Sequence, residues 1–407
     1  MVGGIEGEEC ETHDTLFLDG NDYQMIHHEA DYAITNALVA SPDGLLFDTT
    51  IVVRGGVISS IGPYDASLLQ GLAIFDAKAN LVGPGLIDMH IHGCGGFDPT
   101  QDDVQASLEG MASFLAERGI TAFQLATVMD MDVLNAVRQA LQASPFLSSH
   151  LLGVYTEGPF IAQEKRGGIF PHSIKAYDRA YLDSILALTY ANSPLVSTMT
   201  IAPELEGSEE LSAVLEEHGV VVAYGHSNAL LSHLQVKPKH HLTHLFNAMS
   251  PIDHKNPGLA TLPFVRAYSH ATYELVCDGV HVHPSVVDLT LNTLGTSRLC
   301  IVSDGMNLAG LGACEGLYAG KAIYSNGKAC YFKENDLLIG SATLIVETAR
   351  NLYHQGLLDK LSFFKVTSEN PGRVLTLPDR GKVQVGYRAD LVLLSETMDV
   401  LDVFTAG

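Results

Sequence analysis

Two histidines one residue apart, His90 and His92, close the apolar run LVGPGLIDMHIHG and lead into a glycine-rich turn. On a strand, side chains i and i+2 project to the same side about 6.5–7 Å apart. Both imidazoles can therefore reach one divalent cation at N–metal distances of about 2.1 Å. Such a pair alone is an ordinary strand pattern, and a lone buried histidine or a lone Asp-Gly at a strand end reads as core packing or a turn. These residues do not stand alone. Glu157 ends LLGVYTE, His226 ends VVVAYGH, His244 lies in HLTHLFN and Asp304 ends LCIVSD. Imidazoles and carboxylates without thiolate suit Zn²⁺, Fe²⁺, Mn²⁺ or Co²⁺, and argue against a cysteine-rich structural zinc site. Such a cation lowers the pKa of bound water and polarises a carbonyl, which is hydrolytic chemistry. Asp304 would then be the base that takes a proton from water and returns it to the leaving group.

Elements that could bring these six residues together follow from the pattern along the chain. Eight strand-like runs are expected at 86–92, 120–128, 151–157, 196–203, 220–226, 241–247, 273–278 and 299–304, with helical segments between them. One such segment, DVQASLEGMASFLAERG, places Val104, Leu108, Met111, Phe114 and Leu115 at helical spacing and stops at Gly119. A second, EELSAVLEEHG, ends at Gly219. Eight alternating units predict an α/β fold, a (β/α)₈ TIM-like barrel, whose strand C-terminal ends converge on one mouth. No GxGxxG leads from a strand into a helix and no Walker A sequence occurs, which disfavours dinucleotide and P-loop chemistry. Short β-type runs, YAITNALVA, TTIVVRGGVISSIG and LAIFDA, precede the barrel, and KVQVGYRADLVLLS follows it. The predicted organisation is an N-terminal extension over 1–30, a small β-sandwich domain built from both chain ends (31–81 plus 381–407), and the barrel over 82–380.

Composition narrows the partners. The 407 residues carry 47 acids against 23 bases, a formal charge of −24, with no lysine or arginine cluster to offset it, so nucleic acid and anionic membrane surfaces are excluded as partners. The six cysteines are scattered without a CxxC pair and read as free thiols of a reducing compartment. The acidic N-terminus lacks a signal-peptide pattern, and no apolar run is long enough to span a bilayer, so a cytoplasmic protein is expected.

The motifs PGLIDMHIHG, YTEGPFI, YGHSNA, THLFNAM, CDGVHV, SDG and GYRADLVLL resemble, in order and spacing, the amidohydrolase superfamily and within it the N-acetylglucosamine-6-phosphate deacetylases. The likeness runs from about residue 31 to residue 400. It implies a distorted barrel with a β-sandwich, a homodimer, one or two divalent metals per chain with zinc first in line, and an amino-sugar phosphate as the small-molecule substrate, whose acetamide is hydrolysed to acetate and a free amine. Carried over by residue, Glu157, His226 and His244 resemble the ligands of the water-activating metal. His90 and His92 resemble ligands of a second metal, held by only some members, and Asp304 resembles the catalytic base. Asn247 and Ala248 resemble the phosphate-contacting turn, and His281 a substrate-binding histidine.

Two positions depart from that pattern. Where the family commonly reads KRGAHP, this chain reads KRGGIFPH, so Ile169, which can neither donate nor accept a hydrogen bond, stands in place of a carbonyl-polarising histidine unless His172 substitutes. Where the family has arginine ahead of an acidic-Pro-Gly stretch, this chain has Lys255 in HKNPG, a point charge without the bidentate fork. Other N-acylated sugars, N-acetylgalactosamine 6-phosphate or a non-phosphorylated N-acyl compound, therefore stand as alternative substrates. A barrel that lost its chemistry is the alternative of a different class. Cyclic-amide hydrolases fit less well, since they resemble a pattern with a carboxylated lysine where Glu157 stands here.

Overall fold

The computed structural model describes residues 25–27, 31–234 and 240–406. The expected extension over 1–30 lies outside the described residues except for strand β1 (Met25–His27), which pairs in parallel with β22 (Val400–Phe404). Both chain ends contribute to one sheet of order β1-β22-β21-β6-β2-β3-β4, formed by β2 (Tyr32–Ser41), β3 (Gly44–Arg54), β4 (Val57–Gly62), β6 (Leu81–Pro84) and β21 (Leu391–Leu394), with β5 (Ala73–Asp76) beside β2. β2 pairs in parallel with β5 through its first half and with β6 through Leu38 and Val39, so the strands stay in one hydrogen-bonded sheet around a core of Tyr32, Ile34, Ile51, Val53, Leu391 and Phe404. The β-type run expected from residue 382 contracts to β21. Its first half is turn, closed by Tyr387 N–H to the Gln384 carbonyl at 3.0 Å, with Gly386 at a φ of +89°.

Eight parallel strands then hydrogen-bond in sequence order: β7 (Leu86–Ile91), β8 (Ile120–Val128), β9 (Leu151–Glu157), β12 (Val196–Ile201), β13 (Val221–Tyr224), β14 (His241–Leu242), β15 (Thr272–Val276) and β16 (Leu299–Val302). A parallel bridge between Ile91 and Gly305 joins the last strand to the first, and the expected barrel is present. β7 is buried along its whole length, as expected of strands covered on both sides. A small ribbon of β10 (Thr189–Tyr190) and β11 (Ser193–Pro194) lies between β9 and β12.

Helices α1 (Val104–Ala116), α2 (Met131–Ala143), α3 (Pro145–His150), α4 (Arg179–Leu186), α5 (Ser208–Glu217), α6 (Pro284–Leu294) and α7 (Ile345–His354) occupy the connections. The Asp103 carboxylate caps α1 by accepting from the Ala106 N–H at 3.0 Å, Leu108, Met111 and Leu115 face the core, and Gly119 ends the segment at a φ of +78°. Between β16 and α7 an antiparallel sheet interrupts the alternation: β17 (Ala313–Tyr318), β18 (Lys321–Asn326), β19 (Ala329–Phe332) and β20 (Leu338–Ser341). Its apolar face, with Met306, Ile323 and Phe332, forms a small core of its own beside the barrel mouth. Among the described residues no helix is long and apolar enough to cross a membrane.

Candidate metal centre and active site

At the C-terminal ends of the strands, Glu157 from the end of β9, His226 two residues past β13 and His244 two residues past β14 meet in one buried group. The Nε2 atoms of His226 and His244 are 3.0 Å apart, and each lies 3.0 Å from Glu157 Oε1. His226 Nδ1 lies 2.7 Å from the Lys165 carbonyl, which can only accept, so that nitrogen carries the proton and Nε2 faces the group. Two imidazole nitrogens and a carboxylate oxygen at this spacing need positive charge between them. Two bonds of ~2.1 Å meeting at 90–109° span ~3.0–3.4 Å, so these three atoms fit a divalent cation.

A second group, His90 and His92 at the end of β7 with Asp304 just past β16, lies beside the first. His92 Nε2 is 3.3 Å from Asp304 Oδ1 and 3.3 Å from Glu157 Oε2, so one imidazole joins the two groups. His90 Nε2 is 3.6 Å from Glu157 Oε1 and 3.7 Å from Asp304 Oδ1. It is buried and makes no hydrogen bond, which leaves a ligand atom aimed into the group without a partner. Burial alone would lower the pKa of both histidines, but the carboxylates prevail: Glu274, Glu157 and Asp304 hold His90 up to about 10, and Asp304 and Glu157 hold His92 up to about 9. Conversely, burial would raise Glu157, yet His226, His244 and His92 hold it well below the usual carboxylate range, and His92 and His90 keep Asp304 low against the same burial. Both carboxylates are therefore ionised at neutral pH, facing protons or a cation.

The backbone is strained where these side chains leave the strands. His226, His244 and Asp304 all have positive φ, at +47°, +25° and +50°, as do Phe246 and Ala248 at +79° and +47°. Non-glycine residues there cost of order 1–3 kcal/mol each and persist only where the surroundings enforce them. At His226 the preceding Gly225 allows the approach, because a Cβ at that position would come within 2.7 Å of the Thr243 side chain. The strain turns side chains that would otherwise continue along the strand into the common mouth.

The remaining candidates divide. Asn247, Ala248 and His281 line the same cavity of about 220 Å³ as Glu157, His226, His244, His92 and Asp304. His281 is held by Asp278, whose Oδ2 lies 2.6 Å from Nδ1 and whose Oδ1 accepts the backbone N–H groups of Val280 and His281. Burial opposes charge on His281, but Asp278 prevails and raises its pKa. Ile169 is in the cavity wall, whereas His172 is exposed on the following turn with its ring stacked on Phe170. Lys255 is also exposed and does not line the cavity, and the described wall contains no lysine or arginine.

Sequence reasoning missed three contributors. Glu274 on β15 and His241 on β14 are fully buried behind His90. Tyr318, Phe332, Leu338 and Ile339 of the inserted sheet close the cavity on one side. Its hairpins carried a signal, the glycine turns Ala319-Gly320 and Asn326-Gly327 between alternating residues.

Residues 81–407 match the amidohydrolase family. An N-acetylglucosamine-6-phosphate deacetylase from Bacillus subtilis is 31% identical over 336 residues, 78% of this chain and 81% of the relative. Among solved structures, the N-acetylglucosamine-6-phosphate deacetylase of Pasteurella multocida aligns over 93% of this chain and 98% of its own with a TM-score of 0.82 at 24% identity, a likeness of fold. That of Mycobacterium smegmatis, solved as a mutant in complex with N-acetyl-D-glucosamine-6-phosphate, aligns over 93% and 99% with a TM-score of 0.81 at 26% identity. With four-fifths of its length matched and a relative above 30% identity, the chain belongs to the amidohydrolase family.

Proposed function

We propose that this protein hydrolyses the acetamide of N-acetyl-D-glucosamine 6-phosphate to acetate and glucosamine 6-phosphate. The observation that carries the reading is the pair of adjoining buried groups, Glu157/His226/His244 and His90/His92/Asp304, at the mouth of the barrel. The deacetylase relatives supply the substrate.

A divalent cation in these groups, zinc first among the candidates, would lower the pKa of water and polarise the amide carbonyl. Glu157, His226 and His244 would hold one such ion and His90 and His92 a second, with Asp304 beside it. Asp304 is buried yet ionised, so it accepts a proton from the attacking water as the C–O bond forms. The same carboxyl returns that proton to the amide nitrogen as the C–N bond breaks, giving acetic acid and the neutral amine, and the acid's remaining proton passes to the amine or to solvent as acetate leaves. His281, oriented by Asp278, reaches into the cavity as a donor to the sugar or its phosphate. Asn247 and Ala248 offer the turn against which the phosphate rests. Ile169, Met306 and Ile339 exclude water from one side of the reacting amide. The proposal extends to a homodimer in the cytoplasm; Cys94, Cys277, Cys300 and Cys330 are free thiols, as a reducing compartment favours.

A second reading, an N-acyl substrate without a phosphate, is favoured by the absence of lysine and arginine from the described cavity wall and by the exposed position of Lys255. Comparing kcat/KM for N-acetylglucosamine with and without its 6-phosphate separates the two. A loss of at least tenfold without the phosphate supports the first reading, and equal values select the second.

A further inference from the structure

One buried charge is not used by the chemistry above. Glu274, in the middle of β15 between Tyr273 and Leu275, is 0% exposed. A carboxylate in such a place is costly unless donors surround it, and three do. His90 Nδ1 is 3.0 Å from Oε2, the His244 backbone N–H donates to the same oxygen at 2.9 Å, and His241 Nε2 is 3.1 Å from Oε1. His241 is fixed in turn by the Thr272 hydroxyl, 2.7 Å from its Nδ1. Because an ionised carboxylate only accepts, His90 must present its Nδ1 proton to Glu274, which turns Nε2 toward Glu157 and Asp304. That Nε2 is the buried atom without a hydrogen-bond partner.

We propose that Glu274 is the positioning residue of the His90/His92/Asp304 cation site, holding His90 from behind with its free nitrogen aimed inward and, through the His244 amide, tying that site to the neighbouring one. A carboxylate behind a ligating imidazole fixes the ring's tautomer and orientation and raises its basicity, and losing such a partner typically costs about 10- to 100-fold in metal affinity. The anchoring chain runs Thr272–His241–Glu274–His90, across strands β14, β15 and β7. It explains why a charged side chain is retained in the interior of a parallel barrel.

The proposal rests on reading the two side-chain groups as cation sites, and the experiment separates that premise from the role of Glu274. Full-length wild type, E274Q and H241Q are stripped with chelator, dialysed against graded free Zn²⁺, and measured for bound metal, with chelator competition giving a constant for each site. Wild type takes up two equivalents. E274Q keeps one site at wild-type affinity and loses about 10- to 100-fold at the other. H241Q, which leaves the carboxylate in place, weakens the same site by less. A single wild-type equivalent overturns the premise and the proposal together. Two wild-type equivalents with both E274Q constants unchanged, even if its melting temperature falls, overturn the proposal alone, as does equal weakening of both sites. If E274Q does not fold, H241Q decides: an unchanged weaker site overturns the proposal.

Discussion

Asp304 Oδ1 lies 3.3 Å from His92 Nε2, and that nitrogen is equally close to Glu157 Oε2. The group assigned to move the proton is thus in direct reach of the residues assigned to hold the metals. Replacing Asp304 by Asn keeps the shape and removes the proton acceptor. The variant D304N is expected to fold with a melting temperature close to wild type and to lose at least ~10²-fold in kcat, the scale of general acid–base catalysis. Steady-state kinetics on metal-loaded protein checks this, and near-normal turnover would place the acceptor elsewhere.

The two histidines carried into the substrate set part company in the structure. His281 lines the cavity on an Asp278 anchor, while His172 is exposed beside Phe170. H281A is expected to lower kcat/KM about 10- to 100-fold, the equivalent of losing one charge-assisted hydrogen bond of ~1.5–3 kcal/mol. H172A is expected to stay within about twofold, as for surface changes of under ~0.5 kcal/mol. The reverse order would mean that the loop after Arg166 rearranges to bring His172 to the substrate.

Stability has its own weak point at the junction of sheet and barrel. Arg380, with its side chain 10% exposed, bonds Asp390 Oδ2 at 2.6 Å and the Ser149 carbonyl at 2.6 Å. Asp390 also accepts from Arg388 at 3.2 Å and from the Ala406 N–H at 2.9 Å. Removing one partner strands a buried charge, so D390A should destabilise by about 3–5 kcal/mol. Urea unfolding of the D390A variant measures this, and a change below ~1 kcal/mol would show that the site rehydrates freely.

The chemistry was more legible in the chain than its support. His90, His92, Glu157, His226 and Asp304 lie at the ends of apolar strand-like runs and His244 inside the run 241–247, and barrel topology brings strand ends together. The positive φ values at His226, His244 and Asp304 were not legible, because nothing local favours them and only the surrounding fold enforces them. Glu274 shows in the sequence as a lone acid inside TYELV, but its partners His90 and His241 lie 184 and 33 residues away, a distance that only pairing of strands bridges. Lys255 lies outside the cavity wall. Its place in HKNPG suggested a phosphate contact, whereas the turn that contains it, capped by Asp253 accepting from the Lys255 and Asn256 N–H groups, leaves it at the exposed surface.

The central claim is that the two buried groups work as cation sites for deacetylation, and a metal titration of activity tests it most directly. Protein stripped of metal is assayed for acetate release from N-acetylglucosamine 6-phosphate while Zn²⁺ is added in known equivalents. The account predicts no turnover in the stripped protein and recovery that follows filling of the sites, ending by the second equivalent. Full turnover in the stripped protein, or none with Zn²⁺, Fe²⁺, Mn²⁺ or Co²⁺ at saturation, would contradict it.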